Sequence, residues 1–368
     1  MWFPLLCWAV LWSAGAAALN NLGVLYCSQG DLAGAENLYR AALGVAETAR
    51  PPDDPAVAKI TSNLAALYQR QARYREAAAL YQRALEVRQR SLGPAHPDVA
   101  ISLNNLAEVH RIQGRYWEAR LLFDRALEIL RARPDGEDAD MAVVLHNRAE
   151  IHRLYHRYDA AERLLRTALV IKEEVFGPEH PQVAITLNTL ARVLEHLQDF
   201  DGAERLYHRA LEIWERNPAA SASHIAVTWA NLGRLCQVRK RYIEAEDFQR
   251  RALLRLEQTK QTETPQGAAV LHNLANLYAD QDRLAEAADL FQRSLDIREM
   301  RLGPDHPAIA GLLIDYAQML RRAKRKPEAV RLEARARTLL KKNRQENLIG
   351  GTIDVRSLRS LREKGEPW

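Results

Sequence analysis

Histidine offers the most versatile chemistry in this 368-residue chain, and four of its eleven histidines fall between residues 110 and 156. His152 and His156 stand four residues apart, a spacing at which two imidazoles on one helix face can bind a metal ion. However, His110 and His152 occupy a position that Tyr68 and Tyr278 hold elsewhere in the chain, which favours packing. We therefore expect packed or solvated histidines, with no metal site and no cofactor.

The chain lacks the short motifs that position catalytic groups. It has no glycine-rich phosphate loop, no G-x-S-x-G nucleophile turn and no H-E-x-x-H zinc motif. Cys7, Cys27 and Cys236 show neither metal-ligand spacing nor an even-numbered disulfide framework. The sequence therefore predicts a protein that binds other molecules, and we do not expect an enzyme.

A fixed interval of 42 residues organises the chain into eight copies of one unit. In steps of 42 the sequence reads Asn21, Asn63, Asn105, Asn147, Thr189, Asn231, Asn273 and Asp315. A second column is alanine in every copy: Ala35, Ala77, Ala119, Ala161, Ala203, Ala245, Ala287 and Ala329. Eight copies without an insertion predict a repeat protein.

Each copy contains two amphipathic helices. In the second copy, apolar residues from Val57 to Tyr68 keep helical spacing, and a new apolar stripe starts at Tyr74. Prolines that end one helix and start the next recur at Pro55, Pro97, Pro181, Pro265 and Pro307. Small side chains let paired helices approach closely, and stacked copies complete the core. The expected result is a solenoid whose concave face is made by the first helices.

These columns resemble the tetratricopeptide repeat. The 42-residue period, with the segments from Leu92 to Pro97, Phe176 to Pro181 and Leu302 to Pro307, is similar to the kinesin light chain variety. The resemblance implies an all-α, right-handed superhelical solenoid of about eight helix-turn-helix repeats over residues 15–344, followed by a C-terminal tail over residues 345–368. It specifies the fold better than the function, because adaptors and signalling proteins share this repeat.

Several positions depart from the pattern. Arg148 replaces a leucine or tyrosine and is expected to loosen the fourth copy locally, while Gln249 and Glu333 replace an aromatic residue of the second helix. No heptad coiled coil precedes the repeats, so we do not expect a complete motor subunit. The tail breaks the period, and we expect a short extended piece around Thr352 to Leu358.

The resemblance implies that the first helices bind peptides. The expected peptide-binding residues are Asn63, Asn105, Asn147, Asn231, Asn273, Arg111, Arg153, Arg192, Arg234, His146, Glu108 and Glu150. Asparagine carboxamides suit a peptide backbone because they offer two donors and an acceptor, and the arginines would select carboxylates. In the alternative interpretation, the asparagines bond the neighbouring helix, and the two Glu-Arg pairs (108 with 111, 150 with 153) neutralise each other.

The two ends differ from the middle of the chain. The net charge of +5 arises near the C-terminus, where residues 321–344 hold eleven Lys or Arg against two Glu. This pattern favours a solvated capping helix, with RNA or lipid headgroups as the alternative, and nucleic acid is not the expected partner.

The first thirteen residues are apolar and lead into Ala14-Gly15-Ala16, which is typical of a secretory signal peptide within residues 1–18. No Lys or Arg precedes this run, so a hydrophobic cap or a mis-assigned start is the alternative. The run is shorter than the roughly 20 residues of a membrane span, and we expect no transmembrane anchor. The compartment is exported or periplasmic with a signal peptide, and cytoplasmic without one.

Together these patterns predict a protein-interaction scaffold that binds peptide segments of partner proteins, acidic ones in particular, along the concave groove. The alternative is a signalling regulator built on the same solenoid, which responds to a peptide or small ligand.

Overall fold

The computed structural model describes residues 3–49, 51, 53–133, 138–217 and 222–362. In these residues the chain forms sixteen α-helices and no strand, which confirms the all-α prediction. The first helices of the hairpins are α1 (Phe3–Gln29), α3 (Pro55–Arg70), α5 (Pro97–Ile112), α7 (Ala139–Leu154), α9 (Pro181–His196), α11 (Ala222–Val238), α13 (Pro265–Asp280) and α15 (Ile309–Arg322). The second helices are α2 (Leu32–Ala49), α4 (Tyr74–Leu92), α6 (Tyr116–Arg131), α8 (Tyr158–Phe176), α10 (Phe200–Arg216), α12 (Tyr242–Gln258), α14 (Leu284–Leu302) and α16 (Lys326–Arg362).

The chain divides into two compact units, Met1–Asn147 and Arg148–Trp368. In the first unit α1 packs on α2, α3 on α4 and α5 on α6, and α2 and α4 also pack on the first helices of the next pairs, α3 and α5. In the second unit the pairs from α9 to α16 follow the same rule, and α9, α11, α13 and α15 also contact one another in sequence. Stacked helical hairpins are therefore present in both units.

The small-residue columns lie where helices meet. All eight alanines of the column from Ala35 to Ala329 have no exposed surface. A Cβ atom on Gly23 would lie 2.7 Å from the Tyr39 ring, and one on Gly233 would lie 2.9 Å from the Gln249 side chain. Small side chains therefore set how closely the paired helices approach, as predicted.

The turn between the two helices of a hairpin contains one residue with a positive φ. These residues are Gly30, Ala72, Gly114, His156, Gln198, Lys240, Asp282 and Lys324. In the second copy, the Arg73 amide donates to the Tyr68 carbonyl at 2.8 Å, which closes the end of α3. Six of the eight turns thus hold a residue with a side chain in a conformation that favours glycine.

The segment between α4 and α5 ends one helix, caps the next helix and places a proline in its first turn. Gly93 has a φ of 88° and ends α4, and Pro97 occupies the first turn of α5. Between them, His96 Nδ1 accepts a hydrogen bond from the amide two residues later at 3.1 Å and so caps α5. His180 and His306 make the same bond at 3.2 Å. The proline prediction is confirmed for α3, α5, α9 and α13, whereas Pro307 lies two residues before α15. Sequence reasoning missed the capping histidines.

The departures from the pattern have structural explanations. Arg148 is partly exposed in an uninterrupted α7. Gln249 is fully buried, and its Nε2 donates to the Ala230 carbonyl at 2.9 Å. Glu333 accepts two hydrogen bonds from Arg321.

The ends of the described chain are helical. The expected extended piece around Thr352 to Leu358 is wrong, because α16 continues through Arg362 in a stretch without proline. Residues 363–368 lie outside the described residues. At the other end α1 starts at Phe3, so the predicted signal peptide is helical, with Met1 and Trp2 outside the described residues. Within the described chain, none of the helices has the length and apolarity that a bilayer span needs.

Candidate functional site

Three arginines meet on the first helices of the second unit: Arg153 on α7, Arg192 on α9 and Arg234 on α11. We call them the arginine cluster. Burial, followed by the charge of Arg153, lowers the pKa of Arg192, and Arg234 acts in the same direction. The neighbouring arginines and burial therefore disfavour the charged form of Arg192.

The carboxylate nearest in sequence to Arg192 is occupied by other partners. Glu195 accepts a hydrogen bond from Arg234 at 2.8 Å, and its other oxygen lies 2.7 Å from the same guanidinium. The Tyr207 hydroxyl also donates to Glu195, whose side chain is only 4% exposed. In the part of the chain that the structure describes, Arg192 has no carboxylate within ion-pair distance.

Arg192 lacks a carboxylate partner because the order of glutamate and arginine is reversed in the fifth copy. In the third and fourth copies glutamate precedes arginine by three residues, and the pairs close on themselves, with contacts of 2.6 Å in Glu108–Arg111 and 2.9 Å in Glu150–Arg153. The fifth copy places arginine first, at 192, and glutamate second, at 195. The predicted ion pairs of Arg111 and Arg153 with these glutamates are present in the structure, whereas Arg192 forms no such pair among the described residues.

The cluster also affects a neighbouring imidazole. Burial lowers the pKa of His196 to about 4, and the charges of Arg234, Arg153 and Arg192 contribute in the same direction. The His196 ring stacks on Tyr158 with centroids 4.4 Å apart. This imidazole is therefore neutral at pH 7 and adds no charge to the cluster.

The repeated asparagines form hydrogen bonds between neighbouring first helices. In each of three pairs, an Nδ2 group donates to the Oδ1 atom of an asparagine 43 residues earlier. The pairs are Asn63 with Asn20 at 2.8 Å, Asn147 with Asn104 at 3.0 Å and Asn231 with Asn188 at 3.1 Å. Asn105 accepts from Asn104 at 3.3 Å, and Asn273 donates to the Ala230 carbonyl at 3.5 Å. All of these asparagines except Asn105 therefore take part in bonds between repeats, as the alternative interpretation anticipated.

The histidines singled out in the sequence do not converge. His146 is 9% exposed, and His110 lies 3.4 Å from the Gln113 side-chain oxygen. His156 occupies the α7–α8 turn, where Nδ1 lies 2.8 Å from the Tyr158 hydroxyl. Among the described residues, no group of three or more His, Cys, Asp or Glu could hold a metal ion.

Sequence reasoning missed a set of second-helix residues that reach between consecutive first helices. We call them the crevice-floor residues: Arg88, Lys172, Trp214 and Arg298. Arg88 donates to Ser62, 26 residues earlier, at 3.2 Å, and Arg298 lies 3.3 Å from His272, also 26 residues earlier. The 42-residue period relates all four, so an alignment of the second helices could have revealed them.

The three cationic crevice-floor residues are partly desolvated. Burial lowers the pKa of Arg88, lowers that of Lys172 to about 8 and lowers that of Arg298 to about 10. Their hydrogen-bond partners include hydroxyl, carbonyl and imidazole groups. The crevices between repeats therefore differ in charge along the chain.

The basic C-terminal segment is partly neutralised by ion pairs. Arg321 binds Glu333, Arg325 binds Glu328 and Arg335 binds Glu299. Two more cations pair with aspartates of the preceding repeat: Arg322 with Asp282, and Lys342 with Asp305. Exposed pairs of this kind suit a solvated helix face.

The tetratricopeptide repeat family model matches residues 15–89, 56–132, 140–216, 189–258, 224–300 and 268–342. These overlapping matches cover most of the chain. No curated protein is similar enough in sequence to count as a match.

Several solved structures are similar in fold. A Rap protein complexed with competence and sporulation factor has a TM-score of 0.62 at 13% identity, over 91% of this chain and 99% of that chain. The apo form of RapI has a TM-score of 0.58 at 16% identity, over 77% of this chain and 99% of that chain. The repeats of a kinesin light chain homologue from Podosopora anserina reach a TM-score of 0.44 at 20% identity, over 54% and 93%. At these identities the likeness concerns the fold alone.

Proposed function

We propose that the arginine cluster binds acidic peptide segments of partner proteins. The premise is that the chain belongs to the tetratricopeptide repeat family. The fold is a protein-interaction repeat scaffold, and such folds are typically non-catalytic. The observation that supports the acidic preference is that Arg192 lacks a carboxylate partner while it lies close to two further arginines.

A ligand carboxylate would complete this arrangement. Arg192 is partly exposed as a residue, and burial and the charge of Arg153 disfavour the charged form of its guanidinium. A carboxylate bound there would accept two parallel hydrogen bonds and offset the repulsion within the cluster. Because the site is partly desolvated, the attraction would exceed that of an ordinary surface ion pair.

The asparagines contribute to the proposed site in a limited way. In the Asn231–Asn188 pair, one Nδ2 hydrogen of Asn231 and the Oδ1 atom of Asn188 are engaged across the seam. Each carboxamide has further hydrogen-bonding capacity, which a peptide backbone could use. The arginines, and not the asparagines, then determine which peptide is selected.

Selection of peptides from a random library tests the proposal. The purified chain is immobilised and used to select from phage that display random twelve-residue peptides, and the recovered sequences are counted. We expect Asp and Glu to be enriched by the native chain and by Arg166→Gln, an exposed control whose arginine already pairs with Glu162.

The Arg192→Gln variant should lose this enrichment. Its circular-dichroism melt should remain native, because Arg192 makes no ion pair that holds the described structure together. Equal acidic enrichment with Arg192→Gln, or no acidic enrichment with the native chain, would refute the proposal.

A further inference from the structure

A cavity of about 170 Å³ lies in the crevice above Trp214. Its walls include Ile185 and Asn188 of α9 and Val227 and Thr228 of α11, while Trp214 reaches it from α10. All of these residues belong to the second unit. The cavity therefore lies between two consecutive first helices, on the same two helices as Arg192 and Arg234.

The lining of this cavity carries no charge. None of the lining residues is Asp, Glu, Lys or Arg, and the one ionisable group is His224. The His224 ring stacks on Trp214 with centroids 4.6 Å apart and an interplanar angle of 6°. Burial lowers the pKa of His224, so the imidazole is neutral at pH 7.

An uncharged lining discriminates by desolvation. A carboxylate or ammonium group that entered the cavity would lose water and find no opposite charge, which is unfavourable. An uncharged side chain would gain contact with the rings and with Ile185 and Val227, and its polar atoms could bond the Asn188 amide.

We propose that the crevice above Trp214 is a specificity pocket for an uncharged side chain of the peptide whose acidic residue binds Arg192. Trp214 sets this preference for an uncharged side chain, because among the lining residues it alone reaches the crevice from the second helix, α10. The inference rests on the proposed function, and it adds a second selected residue to the bound peptide.

The spacing of the two selected residues follows from the helix geometry. Asn188 precedes Arg192 by four residues on α9, which corresponds to about 6 Å along the helix axis. An extended peptide advances about 3.4 Å per residue, so the uncharged residue should lie about two residues from the acidic one.

Other repeats show what a different residue does at this position. Arg88 donates to Ser62, 26 residues earlier, and to Ser102, 14 residues later. By the same offsets, an arginine in place of Trp214 would reach Asn188 and Thr228. The Trp214 indole N–H has no hydrogen-bond partner among the described residues, so this replacement breaks no hydrogen bond.

The Trp214→Arg variant tests the pocket in the same phage selection. With the native chain we expect uncharged residues to exceed acidic ones by about fivefold or more at a position near the acidic residue. With Trp214→Arg the preference at that position should reverse toward Asp and Glu. An unchanged preference in a variant with native circular dichroism would overturn the inference.

A second variant keeps the test decisive if Trp214→Arg does not fold. Trp214→Leu copies Leu256, the residue at this position in the sixth copy, and enlarges the cavity without adding charge. We expect it to keep the uncharged preference and to shift it toward aromatic residues, whereas an unaltered residue profile would overturn the inference.

The Arg192→Gln variant separates the two hypotheses. If acidic enrichment depends on Arg192 but the neighbouring position is indifferent to Trp214, the pocket is wrong and the proposed function stands. If acidic enrichment is absent altogether, the proposed function fails, and the pocket inference fails with it.

Discussion

The ammonium group of Lys172 lies 3.0 Å from the hydroxyl oxygen of Thr186, with no carboxylate within ion-pair distance in the described chain. The lysine is 2% exposed, and burial lowers its pKa from 10.5 to about 8. In the unfolded chain the same amine regains its ordinary pKa. Protonation of this lysine therefore costs more in the folded state than in the unfolded state.

Replacement of Lys172 by methionine should stabilise the protein at pH 7 by about 1–3 kcal/mol, because an unpaired buried charge is removed. Between pH 8 and 10.5 the unfolded state binds more protons, so the native free energy of unfolding should rise with pH. Urea denaturation at pH 7 and pH 9.5 checks both expectations.

The increase in the free energy of unfolding caused by Lys172→Met should be smaller at pH 9.5 than at pH 7. The exposed Lys341 provides the control, and Lys341→Met should leave the urea midpoint unchanged. A destabilised Lys172→Met at pH 7 would show that the hydrogen bond to Thr186 outweighs the desolvation of the amine.

Glycine at a positive-φ turn should stabilise the hairpin that contains it. Ala72 has a φ of 60°, and Gly114 fills the equivalent position in the next copy. Ala72→Gly should raise the free energy of unfolding by up to about 1 kcal/mol, since relief of left-handed strain exceeds the extra entropy of the unfolded chain. Gly114→Ala should lower it by a similar amount. Thermal melts that move the other way would contradict the turn geometry.

Gly267 should not tolerate a side chain. A Cβ atom there would lie 2.0 Å from the Thr262 carbonyl oxygen, and the Gly267 amide donates to the Thr264 hydroxyl at 3.2 Å. Gly267→Ala should therefore cost about 2 kcal/mol or more in stability, because the backbone before α13 must move. At Gly311 a Cβ would meet no atom within 4 Å, so Gly311→Ala should stabilise α15 by about 0.5–1 kcal/mol. Equal melting temperatures for the two variants would count against this account.

The Asn231–Asn188 bond should contribute to stability as well as to any binding. Asn231→Ala and Asn188→Ala should each lower the free energy of unfolding, and a double-mutant cycle should give a coupling of about 0.5–1.5 kcal/mol. Additive losses in urea denaturation would mean that the two carboxamides do not interact.

The fold could be predicted from sequence because its determinants recur. Alanine at the helix crossing appears in all eight copies and proline before or at the start of the first helix in five, and each has a single structural interpretation. The C-terminal tail contains no determinants that recur in other copies. Residues after 344 match no other copy, and their continuation of α16 could not be read from the period.

The residue types of the candidate site could be recognised in the sequence, whereas the choice between peptide contact and pairing within the chain could not. Asn20 and Asn63 are 43 residues apart, and an asparagine on the inner face suits either a peptide or a neighbouring helix. Arg192 was grouped with Arg111 and Arg153, although alignment by the period places it in the column of Glu108 and Glu150. That column would have revealed the reversed order. The crevice-floor residues were missed because their contacts lie 14 and 26 residues away, on other helices.

Each asparagine pair spans 43 residues, one repeat and one further position, so every seam joins a copy only to its immediate neighbour. A gene that gains or loses a block of 126 bases would keep the 43-residue register of first helices at the new junction. Recombination can thus lengthen or shorten such a chain without redesigning its interior. Ancestry by tandem duplication, with later divergence at single inward positions, is the evolutionary route that this bonding permits.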